Sequence, residues 1–367
     1  MNNSLSLQMK QQSKIAIITD THWGVRNDNI AFMNSTKKFL DEVFFPKLKE
    51  ESITHIIHLG DIVDRRKHIS YLTANRLRTD FLDKLVEYGI TADIIAGNHD
   101  CYYKNTNRVN ALSELIDGSY SNIECFIEPT EVIRYNTPML FLPWICDENR
   151  EQSTRMINES KSSICMGHLQ IVGFEMFRGS VATHGDERTT FDKFSTTLSG
   201  HFHHRSSDGS ITYLGSHSEF TWADYSDPRG FHIFSLPSQT LEFVKNPFDM
   251  FKKIWYNDEE KKLNELLDFD TSQYENTMLK VIVTNKNNPY WFDLFCGKLE
   301  KANPLNMQIV EDHLNLNLEN EEDITSEAES TLDIFRKHIG QLTASNMNIP
   351  KLEKVITDLY NKAQLIE

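Results

Sequence analysis

Five polar clusters in this sequence combine side chains that bind divalent metal ions, and each follows directly on an apolar, strand-like run. The clusters are Asp20-Thr-His22, Gly60-Asp61-Ile-Val-Asp64, Gly97-Asn98-His99-Asp100, Gly167-His168 and Gly200-His201-Phe-His203. Carboxylate, imidazole and carboxamide groups are oxygen and nitrogen donors suited to Mn²⁺, Zn²⁺, Fe²⁺ or Mg²⁺, and soft sulfur ligands are missing from all five clusters. The residue types therefore predict a metal centre.

The position of the clusters at strand ends predicts that they converge on one pocket. In layered α/β folds the loops at the carboxyl ends of the strands lie along one rim, so segments far apart in sequence meet there. Glycine precedes the polar group in four of the five clusters, which favours tight turns that bring the backbone close to a ligand. One such cluster is common in proteins, whereas five in succession favour a functional site over a structural role.

The elements that must position these clusters alternate short apolar runs with segments of helical spacing. The apolar runs that read as strands are Ile15–Ile18, His55–Leu59, Ile94–Ala96, Met139–Leu142, Ile164–Met166, Thr196–Leu198, Ile211–Leu214 and Phe231–Phe234. Helical spacing is found in Asn34–Lys49 and Ser70–Tyr88. This alternation predicts a layered α/β domain at residues 1–246.

A second, smaller α/β unit is predicted at residues 247–318. Its predicted strand, helix and strand are Met278–Thr284, Trp291–Lys301 and Met307–Val310. The acidic segment 319–330 has the composition of a solvated linker. Residues 331–367 contain two amphipathic helical patterns, and because two helices alone cannot bury both apolar faces, we expect them to dock on the parent domain or on another protein.

Composition limits the class of protein. The 367 residues include 38 Lys and Arg against 53 Asp and Glu, a net charge of −15 that is opposite to the charge of a simple electrostatic DNA clamp. The five cysteines form no CxxC pair, so neither a disulfide framework nor a thiolate zinc site is expected. No apolar run has the roughly 20 residues of a membrane span, and no signal peptide is indicated, so we expect a cytoplasmic protein.

Across residues 1–245 the five clusters resemble the signature of the calcineurin-like metallophosphoesterases. Within that superfamily the motifs are most similar to those of SbcD-type nucleases, and particularly of the recombination endonuclease subunits of T-even-like tailed phages. The stretches that carry this similarity are Asp20-Thr-His-Trp-Gly24, Gly60-Asp-Ile-Val-Asp-Arg-Arg66 and Ser199-Gly-His-Phe-His203. The resemblance implies a layered β-sandwich flanked by helices, with a small α/β capping domain and a C-terminal helical pair.

The resemblance also implies a role for each matching residue. One metal would be held by Asp20, His22 and His203, the second by Asn98, His168 and His201, and Asp61 would bridge the two. A bridging carboxylate offsets part of the repulsion between two cations about 3.5–4 Å apart. His99 would be the catalytic imidazole, and Asp100 would orient it. Asp64 stands where some relatives carry histidine, and its role stays open.

The same resemblance implies cofactors and partners. Such nucleases use two Mn²⁺ ions, with Mg²⁺ or another divalent metal as an alternative, and act on DNA as homodimers bound to an SMC-like coiled-coil ATPase. The C-terminal helices are candidate contacts with that ATPase, and Ser70–Tyr88 is a candidate dimer element. We therefore expect a DNA exo- or endonuclease of recombination, repair and replication, in the host cytoplasm if phage-encoded. A phosphomonoesterase or small-molecule phosphodiesterase, and a non-catalytic scaffold, are the alternatives.

Two further sets of residues follow from the position of the motifs. Cations close to the motif loops are expected to contact DNA phosphates as a group: Arg26, Arg65, Arg66, Lys67, Arg108, Arg178, Arg188 and Arg205. The histidines expected to be structural or exposed are His55, His58, His68, His184 and His204. His217 is a weaker candidate for the cleft.

Overall fold

The computed structural model describes residues 14–259 and 262–311. The predicted linker at 319–330 and the predicted helical pair at 331–367 lie outside the described residues, as does the end of the predicted capping domain. Among the described residues, no helix is long and apolar enough to cross a membrane.

The strands of the described residues are numbered in chain order. They are β1 (Lys14–Ile18), β2 (His55–His58), β3 (Thr91–Ile95), β4 (Ile123–Phe126), β5 (Thr130–Arg134), β6 (Thr137–Leu142), β7 (Ile164–Gly167), β8 (Glu175–Phe177), β9 (Ser180–Val181), β10 (Thr196–Ser199), β11 (Ser206–Ser207), β12 (Ile211–Tyr213), β13 (Gly230–Ser235), β14 (Thr240–Lys245), β15 (Phe251–Asn257), β16 (Met278–Asn285) and β17 (Asn306–Val310). Every strand-like run predicted from the sequence overlaps one of these strands, least closely at β3, which begins three residues before the predicted Ile94–Ala96. The strands that the sequence analysis missed lie at sheet edges or in the two-stranded β8–β9 hairpin.

Two long helices and several short ones accompany the strands. Helix α1 joins Ile30–Phe39, Leu40–Phe44 and Phe45–Glu50, and α2 joins Tyr71–Leu77, Arg78–Leu82 and Asp83–Glu87; they are followed by α3 (Ala111–Leu115), α4 (Arg150–Glu159), α5 (Leu263–Asp268) and α6 (Pro289–Lys301). Single 3₁₀ turns lie at Arg188–Phe191, Trp222–Asp224 and Ser272–Tyr274, and Val25–Asp28 forms a turn whose last three residues have left-handed backbone angles. Helix α1 begins four residues earlier than predicted because Asn29 caps it, accepting the backbone N–H of Ala31 at 2.9 Å.

The core of the fold is a β-sandwich of two six-stranded sheets. One sheet has the order β14-β13-β1-β2-β3-β4, and the other has the order β11-β12-β10-β7-β6-β5. Because side chains alternate along a strand, Ile15 and Ile17 of β1 pack between the sheets, whereas Ala16 and Ile18 pack against α1 and α2. This burial on both faces explains why the central strands are continuous apolar runs.

A three-stranded sheet of order β15-β16-β17 forms a smaller layer after the sandwich. Helices α5 and α6 cover one of its faces through an apolar cluster that includes Leu266, Phe292 and Phe295. Phe251 and Met278 pack with Phe32, Phe220 and Trp222 of the sandwich part. The sequence analysis found β16, α6 and β17 but missed the edge strand β15, and the boundaries of the capping domain stay a prediction.

Candidate metal centre

The five polar clusters lie at equivalent ends of five strands. β1, β2 and β3 run parallel in one sheet, and β7 and β10 run parallel in the other. A cluster follows the carboxyl end of each strand, so parallel pairing places three clusters side by side in one sheet and two in the other. The structure brings the predicted metal ligands together in two groups that meet at one aspartate.

The first group contains Asp20, His22 and His203, whose ligand atoms lie within 4.8 Å of one another. Nε2 of His22 is 3.0 Å from Nε2 of His203 and 4.0 Å from Oδ1 of Asp20. The hydroxyl of Thr19 donates to Oδ2 of Asp20 at 2.6 Å and so orients the carboxylate. Two imidazole nitrogens and a carboxylate oxygen face the same point, as the ligands of a divalent cation do.

The second group contains Asp61, His168 and His201, which are buried and again bring their ligand atoms within 4.8 Å. Oδ1 of Asn98 joins them, at 2.9 Å from Nε2 of His168 and 2.9 Å from Nδ1 of His201. Nδ1 of His168 donates to the backbone oxygen of Leu59 at 2.7 Å. That contact fixes the ring so that Nε2 points at the oxygens of the group.

Asp61 lies between the two groups. Its Oδ2 is 3.2 Å from Nε2 of His168 and 3.8 Å from Nε2 of His22. Its Oδ1 accepts the backbone N–H of His99 at 2.7 Å, which holds the carboxylate in this orientation. A carboxylate in this position can contact a cation in each group.

Left-handed backbone conformations place several of these side chains. Asp20, His22, Asp61 and His201 have φ values of 52°, 42°, 54° and 85°. Positive φ is strained for residues other than glycine, and such strain concentrates at functional sites. Glycine is required at Gly97 for a different reason, because a Cβ there would lie 2.2 Å from Oδ1 of Asp61.

His99 lies beside the first group and forms, with His22 and Asp64, a further set whose ligand atoms lie within 4.8 Å of one another. Its Nδ1 donates to the backbone oxygen of Asp64 at 2.5 Å, and its ring centre is 4.9 Å from that of His22. The Asp64 carboxylate is 3.6 Å from Nδ1 of His22. Asp64, whose role the sequence left open, therefore lies next to both imidazoles and positions the His99 ring through its carbonyl.

The hydrogen bonds of Asp100 indicate a role other than the predicted orientation of His99, which stays a prediction. Both oxygens of Asp100 are taken by backbone donors, since they accept the N–H groups of Asp61 (2.9 Å), Ile62 (2.9 Å), Val63 (3.2 Å) and Gly97 (2.8 Å). The group that accepts from the His99 ring is the Asp64 carbonyl. Asp100 therefore clamps two motif loops together.

Burial and neighbouring charges perturb the titratable groups of the centre. Burial, together with the nearby Asp61, raises the pKa of Asp20 to about 7. Burial lowers the pKa of three imidazoles, those of His22, His201 and His203. These rings are therefore neutral near pH 7 and can offer a lone pair to a cation.

The contacts of His168 test whether the centre fits a metal. Its Nδ1 donates to Leu59, and its Nε2 lies 2.9 Å and 3.2 Å from acceptor oxygens of Asn98 and Asp61. Although burial opposes it, Asp61 raises the pKa of His168 to about 9, so a proton stands on Nε2. A cation between Nε2 and these oxygens would replace that proton. Together with the nitrogen and oxygen donors of both groups, this arrangement fits a divalent metal.

Two aromatic residues at the centre were not singled out from the sequence. The ring of Trp144 lies 5.1 Å from that of His201, and the ring of Phe220 lies 5.6 Å from His22 and 5.7 Å from His203. Trp144 follows β6 much as the polar clusters follow their strands, and that signal could have identified it. Phe220 lies in irregular structure with no such pattern.

Histidines outside the two groups have structural partners. His55 contacts the Asp93 carboxylate at 3.0 Å, and His204 contacts Asp227 at 2.8 Å. His217 is fully buried, with Nε2 3.2 Å from the hydroxyl of Thr36. Its ring centre lies 5.7 Å from that of Phe220, so it packs directly behind the centre, and its assignment to the cleft stays a prediction.

Most cations near the motif loops are engaged within the protein. Ion pairs are formed by Arg65–Asp28, Arg108–Glu148, Arg178–Asp227 and Arg188–Asp208. Arg26 donates to the backbone oxygen of Phe220 at 2.8 Å, and Arg205 lies 3.9 Å from the ring centre of Phe243. Their charge is partly neutralised, and phosphate contact by the whole group stays a prediction.

Comparison with known proteins places this centre in a family. A profile of the calcineurin-like phosphoesterases matches residues 13–205. The chain belongs to this family. It is also 32% identical over 271 residues to Exonuclease subunit 1 of Enterobacteria phage T4, an alignment covering 74% of this chain and 77% of the phage protein. A calcineurin-like phosphoesterase is a hydrolase that binds divalent metals, and the two ligand groups agree with that chemistry.

Three solved structures show more distant similarity to this calcineurin-like chain. An archaeal phosphodiesterase is 12% identical, covers 64% of this chain and 99% of its own, and has a TM-score of 0.31. GAP50, the anchor in the inner membrane complex of Plasmodium, is 12% identical with coverages of 64% and 89% and a TM-score of 0.38. A purple acid phosphatase from yellow lupin seeds is 11% identical with coverages of 63% and 45% and a TM-score of 0.35.

Proposed function

We propose that this protein is a metal-dependent DNA nuclease that hydrolyses phosphodiester bonds with two divalent cations, Mn²⁺ foremost. The observation that carries the proposal is the meeting of two ligand groups at Asp61. A single structural metal needs one closed set of ligands, whereas two adjoining sets with a shared carboxylate are the arrangement of hydrolytic two-metal sites.

The proposed ligands follow the two groups. Asp20, His22 and His203 hold one cation, Asn98, His168 and His201 hold the other, and Asp61 contacts both. When bound, such a pair of cations lowers the pKa of water and neutralises charge on phosphoryl oxygens. The protein's part is to hold these side chains in place, which the Thr19 and Leu59 contacts and the left-handed backbone achieve.

His99 is proposed as the catalytic imidazole. Its Nδ1 is engaged by the Asp64 carbonyl, so Nε2 is the nitrogen proposed to act on the substrate. In its protonated form it would donate to a phosphoryl oxygen or to the leaving sugar oxygen. His99→Ala is expected to lower hydrolysis by about 100-fold or more and to leave metal content unchanged. Unchanged hydrolysis would remove His99 from the mechanism.

The name of the phage relative, an exonuclease subunit, supports both DNA as the substrate and a partner chain. We propose that the partner is an SMC-like coiled-coil ATPase, that the complex serves recombination, repair and replication, and that it works in a bacterial cytoplasm. The ATPase would supply DNA-binding surface that a chain of net charge −15 lacks. A homodimer through α2 is supported by exposed apolar side chains at both ends of that helix, Tyr71, Leu72 and Val86, and by exposed Tyr88 directly after it.

The substrate class can be tested with the purified chain, alone and with its ATPase. Products on end-labelled single-stranded and duplex DNA are followed with Mn²⁺ and ATP, beside turnover of small phosphomonoesters and phosphodiesters. Degradation of linear DNA supports the proposal. Turnover of small esters alone would replace it by a phosphomonoesterase or small-molecule phosphodiesterase, and failure of both with metal bound would indicate a scaffold.

The partner assignment has its own test. Deleting residues 331–367 is expected to abolish association with the ATPase and to keep Mn²⁺-dependent hydrolysis, because the seven proposed ligands lie before residue 204. A truncated protein that still co-purifies with the ATPase would contradict the assignment.

A further inference from the structure

Two exposed tyrosines follow the proposed catalytic histidine and have no part in the metal centre. Tyr102 is 37% exposed and Tyr103 is 46% exposed. Their ring centres are 4.7 Å apart with an interplanar angle of 66°, an edge-to-face pair. Most large aromatic side chains of the described residues are buried in the core, so an exposed pair beside a functional site calls for a partner with flat apolar faces.

The loop that carries the pair is held rigidly. The backbone N–H of Tyr102 donates to Val109 at 2.9 Å, and Cys101 pairs with Asn110 as an antiparallel bridge. Within the loop, the side-chain amide of Asn107 donates to the backbone oxygens of Ile127 at 3.3 Å and Trp144 at 2.8 Å. Because the loop is already ordered, binding through the two rings would lose little conformational entropy.

The chain connection limits the distance between the tyrosine pair and the proposed catalytic histidine. Tyr103 is four residues from His99, so their Cα atoms are at most about 14 Å apart. The loop that contains Asp64 also adjoins His99, because the Asp64 carbonyl accepts a hydrogen bond from the His99 ring. The same loop carries Lys67, whose ammonium lies 5.9 Å from the ring centre of Tyr102. The two tyrosines and this cation therefore lie on loops that adjoin the proposed catalytic imidazole.

We propose that Tyr102 and Tyr103 form a stacking platform for unpaired DNA bases next to the phosphate being cleaved. This inference rests on the proposed nuclease function. In this proposal, a DNA strand with one phosphate at the metals lays a base of a nearby nucleotide on the two rings. Bases stack on aromatic side chains without regard to sequence. The bases of an intact duplex have no free face, so the platform favours single strands and frayed ends.

The test compares full-length variants on two substrates with Mn²⁺ present. Tyr102→Ala and Tyr103→Ala are each expected to raise the KM for a single-stranded oligonucleotide about tenfold, with a smaller effect on kcat. On a blunt duplex both variants should lose less than on the single strand, because only the frayed ends of a duplex offer unpaired bases. Tyr102→Phe and Tyr103→Phe keep the rings and should restore the KM. Fluorescence anisotropy of a labelled oligonucleotide in chelator measures binding without cleavage.

Tyr135→Ala is the matched control. Tyr135 is also 37% exposed, but it lies in the turn between β5 and β6, near His55 at the opposite end of β2 from the metal centre. It should leave the KM for single strands unchanged.

Three outcomes overturn the platform. They are alanine variants that bind single strands normally, phenylalanine variants as impaired as the alanine variants, and a loss confined to association with the ATPase. Failure of the proposed function is distinguishable, because the unaltered protein would then cleave no DNA at all, while anisotropy would still show whether the tyrosines bind single strands.

Discussion

Asp100 is expected to act on the shape of the metal centre and not on the proton of His99. Its two oxygens accept four backbone N–H groups, those of Asp61, Ile62, Val63 and Gly97. Asp100→Asn keeps the size of the side chain but replaces one acceptor oxygen by an NH₂ group. That group would face two backbone donors, so two hydrogen bonds are lost.

The size of the effect follows from those two hydrogen bonds. A hydrogen bond to a charged acceptor contributes about 1.5–3 kcal/mol, so two contribute about 3–6 kcal/mol. The net loss is smaller, because burial and the nearby Asp61 raise the pKa of Asp100 to about 7. The buried charge of Asp100 is therefore unfavourable, and the uncharged asparagine avoids that cost. We expect the free energy of unfolding to fall by about 3 kcal/mol. The affinity for Mn²⁺ should fall by at least about tenfold, because the clamp positions both Asp61 and the loop of Asn98.

Urea denaturation of the metal-free protein and calorimetric titration with Mn²⁺ measure the two effects. Asp117→Asn, at an exposed aspartate that follows α3, is the matched control and should change neither quantity. His99→Ala should show the opposite pattern to Asp100→Asn, with stability and metal affinity kept and turnover lost. If Asp100→Asn lowers only turnover, Asp100 orients His99 after all and the clamp is refuted.

Two further predictions concern packing and pH. Gly97→Ala places a Cβ 2.2 Å from Oδ1 of Asp61 and should reduce bound Mn²⁺, measured by elemental analysis, with the circular dichroism spectrum kept; full metal content would contradict this reasoning. Burial alone would raise the pKa of Asp93, but hydrogen bonds from His55 and Arg134 hold that pKa below its usual value. The stabilisation from these hydrogen bonds is present above the ordinary aspartate pKa and is lost as the pH falls through the lowered pKa. Arg134→Ala should therefore cost about 2 kcal/mol at pH 7 and move acid unfolding to higher pH; acid titration curves that coincide with the unaltered protein would count against it.

The central strands were predictable because a strand buried on both faces is a continuous run of apolar residues. Ile15–Ile18 and Ile164–Met166 are continuous apolar runs, and their strands lie inside the sheets. Edge strands have fewer buried residues and therefore a weaker apolar pattern. In β14 (Thr240–Lys245) no residue is fully buried, and in β5 (Thr130–Arg134) only Val132 is. Such strands are held by backbone hydrogen bonds to one neighbour, which residue types do not reveal.

The composition of the candidate site could be predicted, but the function of each contact could not. Residue type shows which side chains can bind a metal, and strand ends show which of them can meet. The clamp formed by Asp100 was not foreseen because its partners are backbone N–H groups of residues 37 to 39 positions earlier and of Gly97. A backbone donor is the same in every non-proline residue, so no sequence pattern marks it.

The buried carboxylates of the centre connect metal binding to stability. Asp20, Asp61 and Asp100 are all buried at one rim, and burial raises the pKa of Asp20 and of Asp100 to about 7. Three like charges in one buried site oppose folding unless protons or cations offset them. The two divalent ions proposed here would supply four positive charges. Because the unfolded chain has no such site, Mn²⁺ at 100 times its dissociation constant should stabilise the fold by about 2.7 kcal/mol per site. The arrangement proposed to make the centre reactive would therefore also make the stability of the fold depend on bound metal.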